Sequence, residues 1–412
     1  MFLKLLIFIL LVGESLGNVF AVSKNFSEFY SPLSKLVIDE AGRNIYIGGK
    51  NLLLHLNVDL QEIGSAVIGP VNDSKECKPF DRSCIYKTGT SFVKTDNYVS
   101  ILKTYKKNHL LVCGTARQGL CYMYNASNIN SSQHFIITKY RDEYRNFIGS
   151  DKSAMMHITK STDGYDMFFI GQSYDGRKLD YFYKEFATLD IRSSSGWTFD
   201  HFSAVSFLSV CNTKKNSFKI KFLFIFEADN FIFHIFIRSL NVSGSVLYET
   251  RISRLCKNEL DYESYEEMSI SCNTPTKYNK GLSAYFHEDK LYMTFGVRTY
   301  LSGIFEADIT QGSVVCVYTV QEIKTKFDNE VLIKCFSGES TWGSPSWQCG
   351  DRKMCPRLIS VRNNLTGVQF SDLANNVRLL GLPDDLRNQM TSILSAVKTG
   401  IRATLALATS RW

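Results

Sequence analysis

The residues with the most readily assigned chemistry in this 412-residue chain are its eleven cysteines. Thiols in such numbers either bind a metal ion or pair as disulfides. A structural zinc site needs close clusters such as Cys-x2-Cys, and the sequence contains none, so we predict disulfides and no metal. Because the number is odd, at least one cysteine has no partner, and spacing alone does not select among the many connectivities. The cysteines are Cys77, Cys84, Cys113, Cys121, Cys211, Cys256, Cys272, Cys316, Cys335, Cys349 and Cys355.

No combination of residues predicts a catalytic centre or a cofactor site. A Gly-x-Ser-x-Gly pattern occurs at Gly13–Gly17, but it lies in an apolar N-terminal leader and not at a strand-to-helix turn. The chain has no P-loop, no His-Glu-x-x-His and no dinucleotide-binding glycine pattern. Its histidines are scattered, and we predict that the adjacent acids Glu266–Glu267 and Asp384–Asp385 are solvated loop residues. The net charge of +7 is too dilute over this length to indicate a nucleic-acid partner.

The first seventeen residues are typical of a secretory signal peptide. Lys4 supplies a positive charge, Leu5–Val12 is a short apolar run, and Ser15–Gly17 offers small residues for cleavage. No later run has the roughly 18 uninterrupted apolar residues that a membrane-spanning helix needs. The nearest, Ile220–Ile237, is broken by charged residues, and we predict two strands around a turn at Ala228–Asn230. We therefore expect a chain without a membrane span in the secretory pathway, outside the cell, with oxidised cysteines.

Six Asn-x-Ser/Thr tripeptides are candidate sites for N-linked glycans, which is consistent with secretion. Each tripeptide is weak evidence by itself, and two of the six lie only five residues apart, so one of that pair could stay unmodified. The candidate residues are Asn25, Asn72, Asn125, Asn130, Asn241 and Asn364.

A repeating pattern predicts the elements that must position these residues. A short apolar strand is followed by a polar turn and a second apolar strand that ends in glycine or a similar small residue. The pattern recurs about every 60 residues, and repeats of that length with several strands each predict the blades of a β-propeller. Two unrelated β-sandwiches are the alternative, and helical signals are scarce, with Leu386–Lys398 the best candidate. The copies lie at Leu36–Gly48, Val99–Gly114, Met155–Gly171, Phe231–Ile237, Ser283–Gly296 and, in degraded form, Ser392–Ala408.

Several motifs resemble the sema domain of plexins. The segment Cys113–Cys121 reads CGTARQGLC, which closely resembles the Cys-Gly-x-x-x-Gln-Gly-x-Cys element of that family. The opening strand pair Leu36–Asn51, which ends in IYIGGKN, is similar to the family's first strands. Further matching segments are Gly69-Pro70 followed by Cys77, Arg251–Cys256 followed by Tyr265 and Cys272, Trp347–Cys355, and Arg387–Ser395.

The resemblance implies a fold and a domain layout. The plexin sema domain is an all-β, seven-bladed β-propeller, and residues 18–412 are expected to form most of it after the signal peptide at 1–17. About six blades are expected to be present, with the last one missing, so that either the chain is truncated or the ring is open. The segment Ser206–Phe222 does not resemble a plexin blade and puts the third or fourth blade in doubt.

The same resemblance implies a disulfide pairing, in which Cys211 is left alone. The implied bonds are Cys77–Cys84, Cys113–Cys121, Cys256–Cys355, Cys272–Cys316 and Cys335–Cys349.

The function implied by the resemblance is that of an extracellular receptor region that binds a semaphorin, with homophilic or co-receptor contacts as further possibilities. The segment Thr115–Gly119 is a candidate contact, through Thr115, Arg117 and Gln118, because the flanking cysteines would leave it little conformational entropy to lose on binding. Tyr174–Tyr183 is a second candidate. The alternatives are a semaphorin-type ligand, whose corresponding element would carry a proline before its last cysteine, and an extracellular enzyme such as a glycosidase.

Overall fold

The computed structural model describes most of the N-terminal three quarters of the chain. The chain divides into two compact units, Met1–Met354 and Cys355–Trp412, and every described residue lies in the first. The described ranges are 32–74, 91–131, 134–135, 137–138, 148–150, 152–176, 184–192, 198–201, 206–242, 245–259, 262, 264–272, 278–297 and 308–337.

The first half of the described chain forms two four-stranded antiparallel sheets joined by a small ribbon. The first sheet has the order β1-β2-β3-β4, with β1 Leu33–Ile38, β2 Asn44–Gly49, β3 Leu52–Asn57 and β4 Glu62–Val67. The ribbon pairs β5 Val71–Asp73 with β6 Val93–Thr95. The second sheet has the order β7-β8-β9-β10, with β7 Val99–Tyr105, β8 His109–Gly114, β9 Cys121–Asn125 and β10 His134–Phe135.

Three further sheets and a helix follow. The third sheet contains β11 Ile137–Thr138, β12 Met155–Lys160, β13 Asp166–Gly171, β14 Phe186–Arg192, β15 Thr198–His201 and β16 Phe207–Leu208. The fourth sheet has β17 Ile220–Ala228, β18 Phe231–Val242, β19 Ser245–Cys256 and β20 Glu266–Ser269. The fifth sheet has β21 Tyr278–His287, β22 Lys290–Val297 and β23 Asp308–Thr319, and the helix α1 spans Val320–Ser337.

These sheets are five blades of a β-propeller. The first strands of successive sheets lie beside one another, β1 with β7, β7 with β12, β12 with β17 and β17 with β21. Four of the six predicted repeat copies are confirmed as the first two strands of a sheet, and a fifth, Phe231–Ile237, lies in the second strand of the fourth sheet. Ile220–Ile237 is the predicted hairpin around Ala228–Asn230. The last predicted copy, Ser392–Ala408, and the helix candidate Leu386–Lys398 lie outside the described residues.

The glycine that ends a repeat copy allows the next blade to approach. A Cβ atom placed on Gly48, in β2 of the first sheet, would lie 2.6 Å from Cβ of Val99 in the second. A Cβ atom on Gly171, in β13 of the third sheet, would overlap the Phe222 ring in the fourth. Any larger residue at these two positions would push the blades apart, so both glycines are required by the packing of neighbouring sheets.

Apolar clusters fill the spaces between neighbouring sheets. Between the third and fourth sheets, the buried ring of Phe186 is surrounded by other aromatic rings, among them Phe222 and Phe236. Comparable clusters lie between the second and third sheets, around Phe168, and between the fourth and fifth, around Phe233. Because each of these sheets is buried on the faces it shares, its strands are continuously apolar and do not alternate cleanly.

The helix α1 was not predicted from the sequence. Its first turn carries a capping box: the Glu322 backbone N–H donates to Thr319 Oγ1 (3.2 Å), and the Thr319 N–H donates to Glu322 Oε2 (2.8 Å). Phe327 is buried against the fourth and fifth sheets. Arg254 lies against the rings of Phe231 and Phe327 and pairs with Asp328 at 2.7 Å, which fixes the helix to the fourth sheet.

The prediction that Glu266 and Glu267 are solvated loop residues is wrong. Both lie in strand β20, where neighbouring side chains point to opposite faces. Glu267 pairs with Arg238 at 2.9 Å and with Arg251 at 3.4 Å, whereas Glu266 pairs with Arg254 at 3.2 Å. The acids neutralise arginines that the sheet partly buries, and this explains why they are not exposed.

Two disulfides join described cysteines. Cys113 and Cys121 are bonded across neighbouring strands of the second sheet, and Cys272 and Cys316 are bonded with their Cα atoms 5.9 Å apart. Both are pairs that the family resemblance implies. The other implied bonds, Cys77–Cys84 and Cys335–Cys349, fall outside the residues whose side chains are described.

Two cysteine predictions need correction. Cys211, expected to be alone, is disulfide-bonded, and Cys256, expected to bond with Cys355, is a free thiol. The expectation treated Ser206–Phe222 as foreign to the fold, but the structure packs this segment between the third and fourth sheets and leaves Cys211 only 8% exposed. Pairing follows the segments that the fold brings together, which spacing does not reveal.

In the part of the chain that the structure describes, no helix has the length and apolarity required to span a bilayer. Among the same residues, no three His, Cys, Asp or Glu side chains are grouped so that they could hold a metal ion.

Candidate protein-contact site

The segment Thr115–Gly119 connects β8 to β9 and is closed at its base by the Cys113–Cys121 disulfide. Arg117 and Gln118 both adopt left-handed backbone conformations, with φ of 52° and 56°. Such conformations are uncommon for residues other than glycine and persist only where the surroundings enforce them. Gly119 has φ 86°, and a Cβ atom there would overlap the carbonyl oxygen of Ile148. The loop therefore has one tightly specified shape.

Asp73 of the ribbon holds the centre of this loop. The backbone N–H of Arg117 donates to Asp73 Oδ2 at 2.8 Å, and Gln118 Nε2 donates to Asp73 Oδ1 at 3.3 Å. Gln118 Nε2 also donates to the carbonyl oxygen of Ser74 at 2.8 Å. The Gln118 side chain is thus engaged inside the protein, and the Arg117 side chain is the freer of the two.

Asn97 holds the beginning of the loop. The Ala116 N–H donates to Asn97 Oδ1 at 3.0 Å, and Asn97 Nδ2 donates to the Ile68 carbonyl at 3.0 Å. Thr115 Oγ1 accepts the Tyr98 N–H at 3.0 Å. Asn97 is only 7% exposed, so this amide links the ends of the first and second sheets from within.

The same edge continues into the third sheet. The Gly149 N–H donates to Gln172 Oε1, and both the backbone N–H and the hydroxyl of Ser150 donate to Asp175 Oδ2 at 2.8 Å. Of the second candidate segment, Tyr174–Tyr183, only residues 174–176 are described. Hydrogen bonds of Asn97 thus link the first and second sheets at this edge, and Gly119 of the second sheet lies against residues 148–149 before the third.

A buried ion pair lies beneath this edge. Glu185 Oε1 and Lys215 Nζ are 3.7 Å apart, and their side chains are 0% and 2% exposed. Burial raises the pKa of Glu185 and lowers the pKa of Lys215, although each partner opposes the other's shift. Glu185 Oε2 also accepts the Val210 N–H at 2.9 Å. Lys215 belongs to the segment Ser206–Phe222, which is thereby fixed to the start of β14.

The described residues of this edge form a shaped surface. Thr115, Arg117 and Gln118 are each half-buried. The Arg117 Nε atom is buried without a hydrogen-bond partner among the described residues. The loop around it is fixed by Asp73, by Asn97 and by the Cys113–Cys121 disulfide. Sequence reasoning found the loop through its cysteines but missed Asp73 and Asn97, since nothing in their local sequence marks them as its anchors.

We expect Asp73→Ala to loosen the loop without unfolding the protein. The carboxylate accepts two of the loop's donors, and a hydrogen bond to a charged group contributes about 1.5–3 kcal/mol. Hydrogen exchange of the Arg117 amide should accelerate by about tenfold or more, since each 1.4 kcal/mol corresponds to a factor of ten. Asp59→Ala, at an exposed turn residue, is the matched control. An unchanged exchange rate in Asp73→Ala would contradict the anchoring role.

Three of the six candidate glycosylation residues lie in described parts of the chain with their side chains, and all three are exposed: Asn72, Asn125 and Asn130. Asn241 lies in β18, but its side chain is outside the described residues, as are Asn25 and Asn364 entirely.

Comparison with known proteins shows similarity of most of the chain to plexins. No family model matches the chain. Human plexin-A4 is 24% identical over 399 residues, which cover 88% of this chain and 20% of plexin-A4. Human plexin-A2 is 24% identical over 420 residues, which cover 91% of this chain and 21% of plexin-A2. The chain thus spans about a fifth of the length of these relatives.

A solved structure of the full extracellular region of plexin A4 matches with a TM-score of 0.63 at 22% identity, over 77% of this chain and 34% of that one. This similarity shows the fold. Together with the two relatives, it confirms the resemblance to the plexin sema domain that the sequence motifs indicated.

Proposed function

We propose that this chain, which has the fold of the plexin sema domain, is the ligand-binding part of a plexin-like receptor ectodomain and that its ligand is a semaphorin. The observation that carries the proposal is the loop Thr115–Gly119, which matches the family motif and is fixed in a strained shape at the sheet edge. The chain acts outside the cell, where it recognises the ligand by surface contact and without catalysis, in semaphorin–plexin signalling.

The rigidity of the loop suits protein recognition. A loop that is already ordered loses little conformational entropy on binding, so more of the contact energy appears as affinity. Arginine is enriched among the residues that dominate interface energies, and Arg117 is the candidate here. An interface of standard size buries about 800 Å² on each partner, so the neighbouring edges of the first and third sheets would contribute to it.

The proposal includes a more complete propeller than the five described blades. The outer face of the fifth sheet exposes apolar side chains, with Tyr285 61%, Val315 62% and Val317 50% exposed. Apolar faces of blades are buried against neighbours in a propeller. We therefore propose that the sema ring contains further blades beyond the five described.

Reversing the charge of Arg117 tests the ligand proposal. In Arg117→Glu, we expect the affinity for the cognate member of a panel of purified semaphorin ectodomains to fall by about tenfold or more, because an interface arginine would become a like-charged or unpaired group. Surface plasmon resonance with the secreted chain is the measurement.

Lys107→Glu is the matched control, since Lys107 is exposed in the turn between β7 and β8, at the opposite end of the same sheet. Its affinity should stay within about twofold of that of the parent, because an exposed charge this far from the loop Thr115–Gly119 is screened by salt. Equal affinities for both variants would remove Arg117 from the contact, and binding to no semaphorin in the panel would remove the proposed ligand class.

A further inference from the structure

Asn72 is the middle residue of β5, in the ribbon that anchors the loop Thr115–Gly119. Its tripeptide is Asn72-Asp73-Ser74, and its side chain is exposed, whereas Asp73 is half-buried and holds Arg117 and Gln118. Neighbouring residues of a strand point to opposite faces. The sequon residue and the loop anchor therefore occupy opposite faces of one ribbon.

Asparagine amides in the first two blades differ in how they are used. Asn44, Asn51 and Asn97, which are outside sequons, each donate Nδ2 to a partner in the protein: Asp39 Oδ2, Asp96 Oδ1 and the Ile68 carbonyl. The sequon residues Asn72, Asn125 and Asn130 are exposed, and none of their Nδ2 atoms donates a hydrogen bond to a described residue. An attached sugar at these positions would therefore displace no hydrogen bond from Nδ2 to a described residue.

We propose that Asn72, Asn125 and Asn130 carry N-linked glycans and that these glycans leave the loop face of the ribbon open for the protein ligand. In the modification, Nδ2 forms a bond to the anomeric carbon of a lipid diphosphate-linked oligosaccharide. The bond from that carbon to the phosphate oxygen breaks, the lipid diphosphate leaves, and the amide proton passes to a base of the transferring enzyme. The glycosylation of these asparagines depends only on secretion of the chain, whereas the claim that the glycans leave the ligand-binding face open rests on the proposed function.

The three asparagines lie away from the loop Thr115–Gly119, so their glycans would cover other parts of the surface. Asn125 ends β9, and Asn130 follows it, so both lie at the end of the second sheet opposite the loop Thr115–Gly119. Asn72 lies across from Lys94 on the outer face of the ribbon. Val93 lies across from Asp73, on the face that holds the loop, and is 64% exposed. The open face thus combines Val93 with the loop.

Peptide mass spectrometry after enzymatic deglycosylation in heavy-oxygen water tests the glycan map. Secreted protein from glycosylating cells should show most molecules modified at all three asparagines. Ser74→Ala and Ser127→Ala should each abolish one site, because they remove the sequon hydroxyl and keep Asn72 or Asn125 in place. Unmodified Asn72 in secreted, folded protein would overturn the proposal, whatever the binding data show.

A glycan introduced on the other face tests the choice of surface. Val93→Asn creates an Asn-Lys-Thr sequon with Thr95, and its glycan should abolish binding to the semaphorin that the parent binds. Val93→Asn combined with Thr95→Ala has the same asparagine without the glycan, and its affinity should exceed that of glycosylated Val93→Asn by about tenfold or more, which assigns the loss to the glycan. Asn72→Gln, which removes the natural glycan from the opposite face of the ribbon, should keep the affinity of the parent.

Undiminished binding by glycosylated Val93→Asn would overturn the assignment of the open face. If the parent binds no semaphorin at all, the proposed function fails, while the mass-spectrometric result still decides the glycan map. The two failures are therefore distinguishable.

Discussion

Replacing Phe186 with alanine is expected to destabilise the protein by about 3–5 kcal/mol, the usual loss when a buried phenylalanine is truncated. The Phe186 ring is 0% exposed and joins the third sheet to the fourth. It packs edge-on against four other rings at centroid distances of 4.9–5.5 Å: Phe222, His234, Phe236 and Tyr265. Truncation removes all four contacts and leaves a cavity between two blades that rigid sheets cannot close.

Urea unfolding followed by fluorescence and circular dichroism gives the free energy directly. Tyr165→Ala is the matched control, since Tyr165 is 63% exposed in the turn before β13 and its loss should change stability by less than about 0.5 kcal/mol. Phe186→Leu should fall between the two if the alanine variant is not secreted. A loss below about 1 kcal/mol for Phe186→Ala would show that the blades do not depend on this contact.

Replacing Lys215 with methionine is the second large expected effect, with a loss of about 3–5 kcal/mol because it leaves Glu185 buried without its counter-charge. Burial already raises the pKa of this carboxyl group, so its ionised form is the unfavourable one in the folded protein. A folded-state pKa above the unfolded value means that stability is retained at low pH and lost as the pH rises. The stability of the variant should therefore be closest to that of the parent at about pH 4 and fall furthest below it at about pH 7.

The double variant Lys215→Met with Glu185→Gln separates the charge from the packing. The glutamine oxygen can still accept the Val210 N–H, and no buried charge remains, so stability should return to within about 1 kcal/mol of the parent or exceed it. Urea unfolding of the single and double variants across this pH range is the measurement. A double variant as unstable as Lys215→Met would show that the loss comes from packing around the lysine stem and not from the charge.

The blade pattern could be predicted from the sequence because its signal is local. A strand, a turn and a second strand that ends in glycine lie within about twenty residues, and the glycine has a direct packing cause at Gly48 and Gly171. The helix α1 has weak apolar periodicity, so it escaped notice. Its capping box at Thr319 and Glu322 was readable, but it follows the long strand β23 without a break.

The candidate site was only partly predictable. The loop at Thr115–Gly119 was visible because two cysteines and a motif flank it, but its anchor Asp73 lies 44 residues before Arg117. Glu185 and Lys215 are likewise distant in sequence, and each belongs to a stretch that packs only after neighbouring sheets have formed. Such partners follow from how the blades meet, so no local pattern could identify them.

A blade that contains its own glycine at the end of its second strand can be duplicated as one genetic unit. The space that the following blade requires, at Gly48 and at Gly171, is provided from within the preceding copy. A duplicated segment would therefore fit beside its template at once, without compensating substitutions in the neighbour. Rings of this kind can gain members by gene duplication while the outer strands and loops diverge.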